Sequence, residues 1–313
     1  MNQLQTAIET YLEFCRSQKR LDSKTLKAYR IDLNQFSSAV STTQLTDITP
    51  ELLESYIAPL HTICKSKTVK RKIASLKAFF HYLEYKDLIS LNPFNKIQVK
   101  FREPVILPKT IPLHTLETLL SAMYRQRAAA KTPFQQRNIL RDIAVTELLF
   151  ATGIRISELC SLKVSDVDLY DKTILIYGKG SKERKIQIGN EDVLRILQEY
   201  QLEYQKEMEA CGCFFINYCN QPLSDQSVRR IINKYTALAS IDQHITPHMF
   251  RHTFATCLLE SDVDIRYIQE MLGHSSINIT EIYTHVAMSK QRDILTKKHP
   301  RKDLSVCQNQ KSV

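Results

Sequence analysis

Apolar residues recur at helical spacing through the first hundred positions. Leu4, Ala7, Ile8, Tyr11, Leu12 and Cys15 fall three and four apart, which predicts an amphipathic helix. Ser23 is placed to cap a second helix with Leu26, Tyr29, Leu33 and Phe36 on one face. Thr49-Pro50-Glu51 opens a third, because proline at the first helical position lacks an N–H that would have no partner there. Leu53, Tyr56, Ile57 and Leu60 follow it. Ser66 opens a fourth, carrying Val69, Ile73, Leu76, Phe80 and Leu83, which should stop before Asn92-Pro93. Four helices with short connections predict a compact all-α domain over residues 1–100.

The pattern changes at QVKFREPVILPKTIP, residues 98–112, which has three prolines and no helical period. It reads as an extended linker, with 101–112 joining the domains. A second domain over 113–300 is expected to carry helices at 113–127, 134–151 and 191–208. Between the last two, Thr173–Tyr177 is β-branched and aromatic, Lys185–Ile188 alternates, and Gly178 to Ser181 supplies turn residues. That is a hairpin or small sheet. The expected fold is therefore mainly α with a small antiparallel β-sheet. Residues 301–313 are mostly polar and are expected to form a loose tail.

The length of 313 residues suits two domains, and 43% hydrophobic with 24% charged residues is ordinary for globular chains. Glu9 and Glu13 interrupt the first stretch where a signal peptide needs an apolar core. No apolar run approaches the roughly 18 residues of a membrane span. A soluble cytoplasmic protein is expected. Of the eight cysteines none makes a Cys-x-x-Cys pair. Cys211, Cys213 and Cys219 cluster, but no histidine is near them in sequence, so they are read as small buried hydrophobes and no metal is expected.

Charge adds a polarity along the chain. The formal net charge is +10. Residues 1–60 hold six Lys/Arg against seven Asp/Glu, whereas residues 61–109 hold eleven against three. Lys65, Lys67, Lys70, Arg71, Lys72 and Lys77 crowd the fourth helix and the approach to it. Such a run is either a solvated face or a surface for a phosphate backbone.

Motifs for nucleotide-binding loops, zinc proteases and serine hydrolases are absent, and no acidic cluster suits a two-metal nuclease. Four segments stand out instead. In ATGIRISEL a helix ends at Gly153 and Arg155 follows the break, either capping the helix or gripping phosphate. Lys179 sits in the hairpin turn, either as a surface residue or as a proton donor, with Lys182, Arg184 and Lys185 close by as phosphate contacts. In TPHMFRHTFAT, Thr246 caps, Pro247 takes the first position, and His248 and Arg251 share one face of a helix start, where an anion is favoured. His252 points elsewhere and reads as a packing residue. In LGHSS and TEIYTH, Tyr283 follows His274 by nine residues, and a Tyr hydroxyl becomes a useful nucleophile only among cations.

Taken in order, Arg155, Lys179, His248-x-x-Arg251, His274 and Tyr283 resemble the tyrosine recombinase (phage integrase) family over essentially the whole chain. The two-domain layout is closest to Xer-type and small mobile-element recombinases. The resemblance implies a core-binding N-terminal domain and a catalytic domain that cuts and rejoins DNA through a 3′-phosphotyrosyl intermediate. It implies Tyr283 as nucleophile, Arg155 and Arg251 on the non-bridging oxygens, and Lys179 as the acid for the leaving 5′-oxygen. It further implies His248 as proton acceptor, His274 as a hydrogen-bond donor to the phosphate, and Glu158 as an accessory carboxylate. No cofactor is implied. The expected partners are duplex DNA with a specific core site and three further copies, with a related recombinase or accessory protein in some systems, and no membrane. The segment Ser289–Lys298, with Ile294 and Leu295, would pack on a neighbouring copy or fold back on its own domain. Two rivals share parts of this pattern: a type IB topoisomerase, and a DNA-binding regulator that keeps the fold without the chemistry.

Overall fold

The computed structural model describes residues 3–97, 108–178 and 183–273. The chain divides into two compact units, Met1–Pro104 and Val105–Val313.

The first unit is built of α1 (Gln3–Ser17), α2 (Ser23–Ala39), α3 (Pro50–Ile63) and α4 (Ser66–Tyr85), with a 3-10 turn at Pro93–Lys96. The predicted α1 stripe is the buried one, from Leu4 to Cys15. Thr49 caps α3, accepting the Leu52 N–H. The cap of α2 is Asp22 and not Ser23, because the Asp22 carboxylate takes both the N–H (2.9 Å) and the hydroxyl (2.7 Å) of Thr25. Phe36, Phe79 and Phe80 fill the core with Tyr11.

One core feature departs from the apolar pattern. Asp32 of α2 is buried and receives Arg71, Lys72 (3.3 Å) and the Ser75 hydroxyl (2.9 Å) from α4. The Lys72 ammonium also donates to Gln35. Lys72 is thus turned inward, which corrects its expected place among the phosphate contacts. It lies three residues after Val69 and four before Leu76, on the buried stripe itself. Lys65, Lys67, Lys70 and Lys77 are exposed, as is Arg71.

The second unit contains α5 (Leu113–Ala128), α6 (Pro133–Thr152), α7 (Ile156–Cys160), β1 (Val167–Asp168), β2 (Thr173–Tyr177) and β3 (Glu183–Gln187). It continues with α8 (Glu191–Cys211), α9 (Asp225–Leu238), α10 (Pro247–Glu260) and α11 (Ile265–Leu272). Helix α6 is the centre: its second half is buried on nearly all sides, and α5, α8 and α10 pack around it. The sheet is antiparallel in the order β1-β2-β3, with β1 an addition to the expected hairpin. In its register Ile174 faces Ile186 and Ile176 faces Arg184. The end of the expected linker is part of this unit, because Ile111 is buried and its N–H donates to the Thr253 hydroxyl at 2.7 Å. Cys211 and Cys213 are partly buried against the core, whereas Cys219 is exposed. No helix among the described residues is long and apolar enough to cross a membrane.

Candidate active site

The site begins where α6 stops. Gly153 takes the left-handed conformation (φ +58°) and returns its N–H to the Leu149 carbonyl. A Cβ there would lie 2.6 Å from a ring carbon of Phe254, so both the turn and the close approach require glycine. The reversal places Arg155 at the N-cap of α7, in extended conformation. Its side chain is one-third exposed (32%).

Glu158, one helical turn on, is buried and accepts four N–H groups. Arg155 supplies its backbone N–H (3.0 Å) and one guanidinium nitrogen (2.7 Å). Arg184 of β3 supplies two more, at 3.1 and 2.6 Å. Burial alone would raise the Glu158 carboxyl, but these bonds and the Arg184 charge hold it below the ordinary carboxylate range. Glu158 is a fixed anion among cations.

Arg251 enters from α10 and is buried. One of its nitrogens donates to the Gly153 carbonyl (2.9 Å) and another to Leu272 (2.6 Å). Arg155 donates to Gly273 (3.3 Å) and Arg184 to Met271 (2.8 Å). Three guanidiniums therefore end on three consecutive carbonyls at the close of α11. Carbonyls in the last turn of a helix lack helical partners and carry the negative end of its dipole. Gly273 is left-handed (φ +62°), and a Cβ on it would sit 3.0 Å from an Arg184 nitrogen.

His248 precedes Arg251 by three residues on α10. Burial holds its pKa below the ordinary imidazole value, and Arg229, Arg251 and Arg155 push the same way. These effects favour the neutral imidazole, the form able to accept a proton. His252 is pushed down to about 4 by burial, His248 and Arg251. The side chain of Thr246, expected as a cap, makes no capping bond; its backbone carbonyl takes the Met249 N–H instead.

Of the residues singled out in the sequence, Arg155, Glu158, Arg184, His248 and Arg251 come together here from α7, β3 and α10. Arg184, expected beside Lys182 as a phosphate contact, is instead buried on Glu158. The reason is strand phase: Arg184 precedes the buried Ile186 and Ile188 by two and four residues, so it shares their face and points inward. Arg229 of α9 has no motif to mark it in the sequence, since its proximity to His248 comes from the packing of α9 against α10. Lys179, Lys182, His274 and Tyr283 lie outside the described residues, as do Ser289–Lys298 and 301–313. Among the described residues no group of three or more His, Cys, Asp or Glu side chains could hold a metal.

Comparison with known proteins bears on this arrangement. The family model for the phage integrase family matches residues 113–290, and that for the phage integrase N-terminal SAM-like domain matches residues 8–86. A tyrosine recombinase of Agathobacter rectalis is 67% identical over 303 residues, covering 97% of this chain and 99% of that protein. Tyrosine recombinase XerD of Listeria monocytogenes is 37% identical, covering 94% of this chain and 98% of its own. Among solved structures, the XerH site-specific recombinase in a post-cleavage complex with its difH substrate aligns with a TM-score of 0.72 at 22% identity, over 93% of this chain and 83% of that one. A lambda integrase tetramer bound to a Holliday junction aligns with a TM-score of 0.67 at 18% identity, over 87% and 77%. At these identities the structural likeness is one of fold.

Proposed function

The chain belongs to the phage integrase family and is a tyrosine recombinase, and from that premise we propose how its residues cut and rejoin a specific DNA site. The observation that carries the reading is the convergence of Arg155 and Arg251 on the end of α11, with His248 close to both arginines and Glu158 holding Arg155 in place.

The Tyr283 oxygen attacks the scissile phosphorus as its proton passes to neutral His248. The bond from phosphorus to the 5′-oxygen breaks, and Lys179 gives that oxygen a proton. Arg155 and Arg251 meet the non-bridging oxygens, whose charge grows in the transition state, and His274 adds a hydrogen bond. The DNA 3′ end remains on Tyr283 as a phosphodiester, so the energy of the cut bond is retained. A 5′-hydroxyl from a partner strand reverses the step. The same chemistry serves chromosome dimer resolution and the integration or excision of mobile elements.

Duplex DNA is the partner, and the enzyme acts as an oligomer. The lambda integrase tetramer on a Holliday junction supports four copies across two paired core sites, joined in some systems by a related recombinase or an accessory protein. We assign residues 1–100 to the core-binding domain and 113–300 to the catalytic domain, and place the enzyme with its DNA in the cytoplasm. Relaxation by type IB topoisomerase chemistry is disfavoured, because relatives named as recombinases match the chain nearly end to end.

A bridging 5′-sulfur tests the assignment of Lys179. Sulfur leaves without a proton, whereas the normal 5′-oxygen leaves as a strong base. Lys179→Ala should cut ordinary DNA slowly and largely recover on the sulfur-substituted strand. Absence of recovery would remove Lys179 from the acid role.

The outer face of α4 makes a separate prediction. Replacing the exposed Lys67, Lys70 and Lys77 by alanine should flatten the salt dependence of DNA binding, by about one unit of log–log slope per lost contact at most. An unchanged slope in mobility-shift titrations would mean the face is only solvated. Lys72→Ala belongs to a different class: it removes one of two cations from the buried Asp32, leaves Arg71 and the Ser75 hydroxyl on it, and should cost about 1.5–3 kcal/mol of stability.

A further inference from the structure

We propose that Arg184 is a positioning residue of the recombination site, holding Glu158 and the end of α11 so that Arg155 remains available to the scissile phosphate. The proposal rests on the recombinase reading above.

Arg184 is one of the least exposed cations of the site, with 9% of its side chain accessible. All three of its nitrogens are engaged: two on the Glu158 carboxylate, one on the Met271 carbonyl. A DNA phosphate would have to displace a buried bidentate pair to reach it. That geometry removes Arg184 from the ordinary phosphate contacts.

What the side chain joins is more telling than what it excludes. It projects from β3. Through Glu158 it reaches both the backbone and the guanidinium of Arg155. Through Met271 it reaches the stretch of backbone whose next two carbonyls receive Arg251 and Arg155. One guanidinium thus ties together three separate segments of the site. Gly273 is matched to it, since any Cβ there would press on the Arg184 side chain at 3.0–3.3 Å.

Charge gives the arrangement a second consequence. A carboxylate with Arg155 as its sole cation would pair with it in full and compete with the DNA for its fork. The two bonds from Arg184 occupy both carboxylate oxygens and offset the charge. Arg155 is then oriented by Glu158 without being neutralised by it. Lysine cannot replace this function, because a single ammonium lacks the planar fork that spans two oxygens.

The test uses the full chain and a nicked suicide duplex carrying the sequence that the wild-type protein selects from a random pool. Arg184→Gln and Arg184→Lys should both form the covalent adduct about 100-fold more slowly at saturating DNA, a loss typical of small misplacements of catalytic groups. Their DNA affinity and salt slope should match the wild type. A salt slope lower by about one unit, with wild-type cleavage at saturation, would make Arg184 a phosphate contact and overturn the proposal. If Arg184→Gln alone does not fold, the double variant Glu158→Gln/Arg184→Gln leaves no lone buried charge. That variant should also cleave slowly, and wild-type speed would overturn the proposal. The DNA-free protein gives an independent readout: amide exchange across residues 265–273 should quicken in both single variants, and unchanged exchange counts against positioning. The recombinase reading is decided by adduct formation in the wild type alone, so the two failures are distinguishable.

Discussion

A Tyr283→Phe chain should bind its DNA site as tightly as the wild type and leave no covalent adduct on a suicide substrate. Phenylalanine keeps the ring and removes only the hydroxyl oxygen. The loss should therefore be to background, with affinity within about twofold, a change of roughly 0.4 kcal/mol. Denaturing gels of the variant incubated with nicked duplex check the first part, and mobility shifts check the second. An adduct persisting at even a tenth of the wild-type rate would assign the attack to another residue.

Arg251→Lys should be the next most damaging substitution. Removing one transition-state donor typically costs about 10²–10³ in rate. Arg251 should exceed that range, because its guanidinium also spans the Gly153 and Leu272 carbonyls from within the protein. Lysine retains the charge but cannot span those two carbonyls and a phosphate oxygen together. The carbonyl left without a donor costs about 1–3 kcal/mol besides. We expect single-turnover cleavage to fall by about 10³ or more, with a lower melting temperature and modest loss of DNA affinity. A lysine variant within about tenfold of the wild type would place the transition-state charge elsewhere.

Much of this was legible in the residue pattern, for identifiable reasons. The stripe Leu4 to Cys15, the Thr49-Pro50 start and the break at Gly153 are local signals, and the structure places α1, α3 and the α6–α7 turn accordingly. The errors arise where charge was read without phase. Lys72 and Arg184 were grouped with their cationic neighbours, yet each occupies an inward position, one on a helical stripe and the other on an alternating strand. Asp32, on the buried face of α2, was the complementary signal for Lys72. The gathering of three arginines on the end of α11 had no such signal, because backbone carbonyls look alike in any sequence. Arg155, His248 and Arg251 stand out in local motifs and Glu158 through the family resemblance, and the structure brings the four together. The assignments of Lys179, His274 and Tyr283 rest on that resemblance.

The central claim is a covalent bond between Tyr283 and a DNA 3′ end. It is tested most directly by trapping the wild-type adduct on a nicked duplex, digesting the protein with trypsin, and fragmenting the DNA-bearing peptide in a mass spectrometer. The account predicts a single modified peptide with the phosphate on Tyr283, carrying the 3′ end of the cut strand and leaving a free 5′-hydroxyl. Attachment through a different side chain, or a 5′-phosphate on the protein, would contradict it.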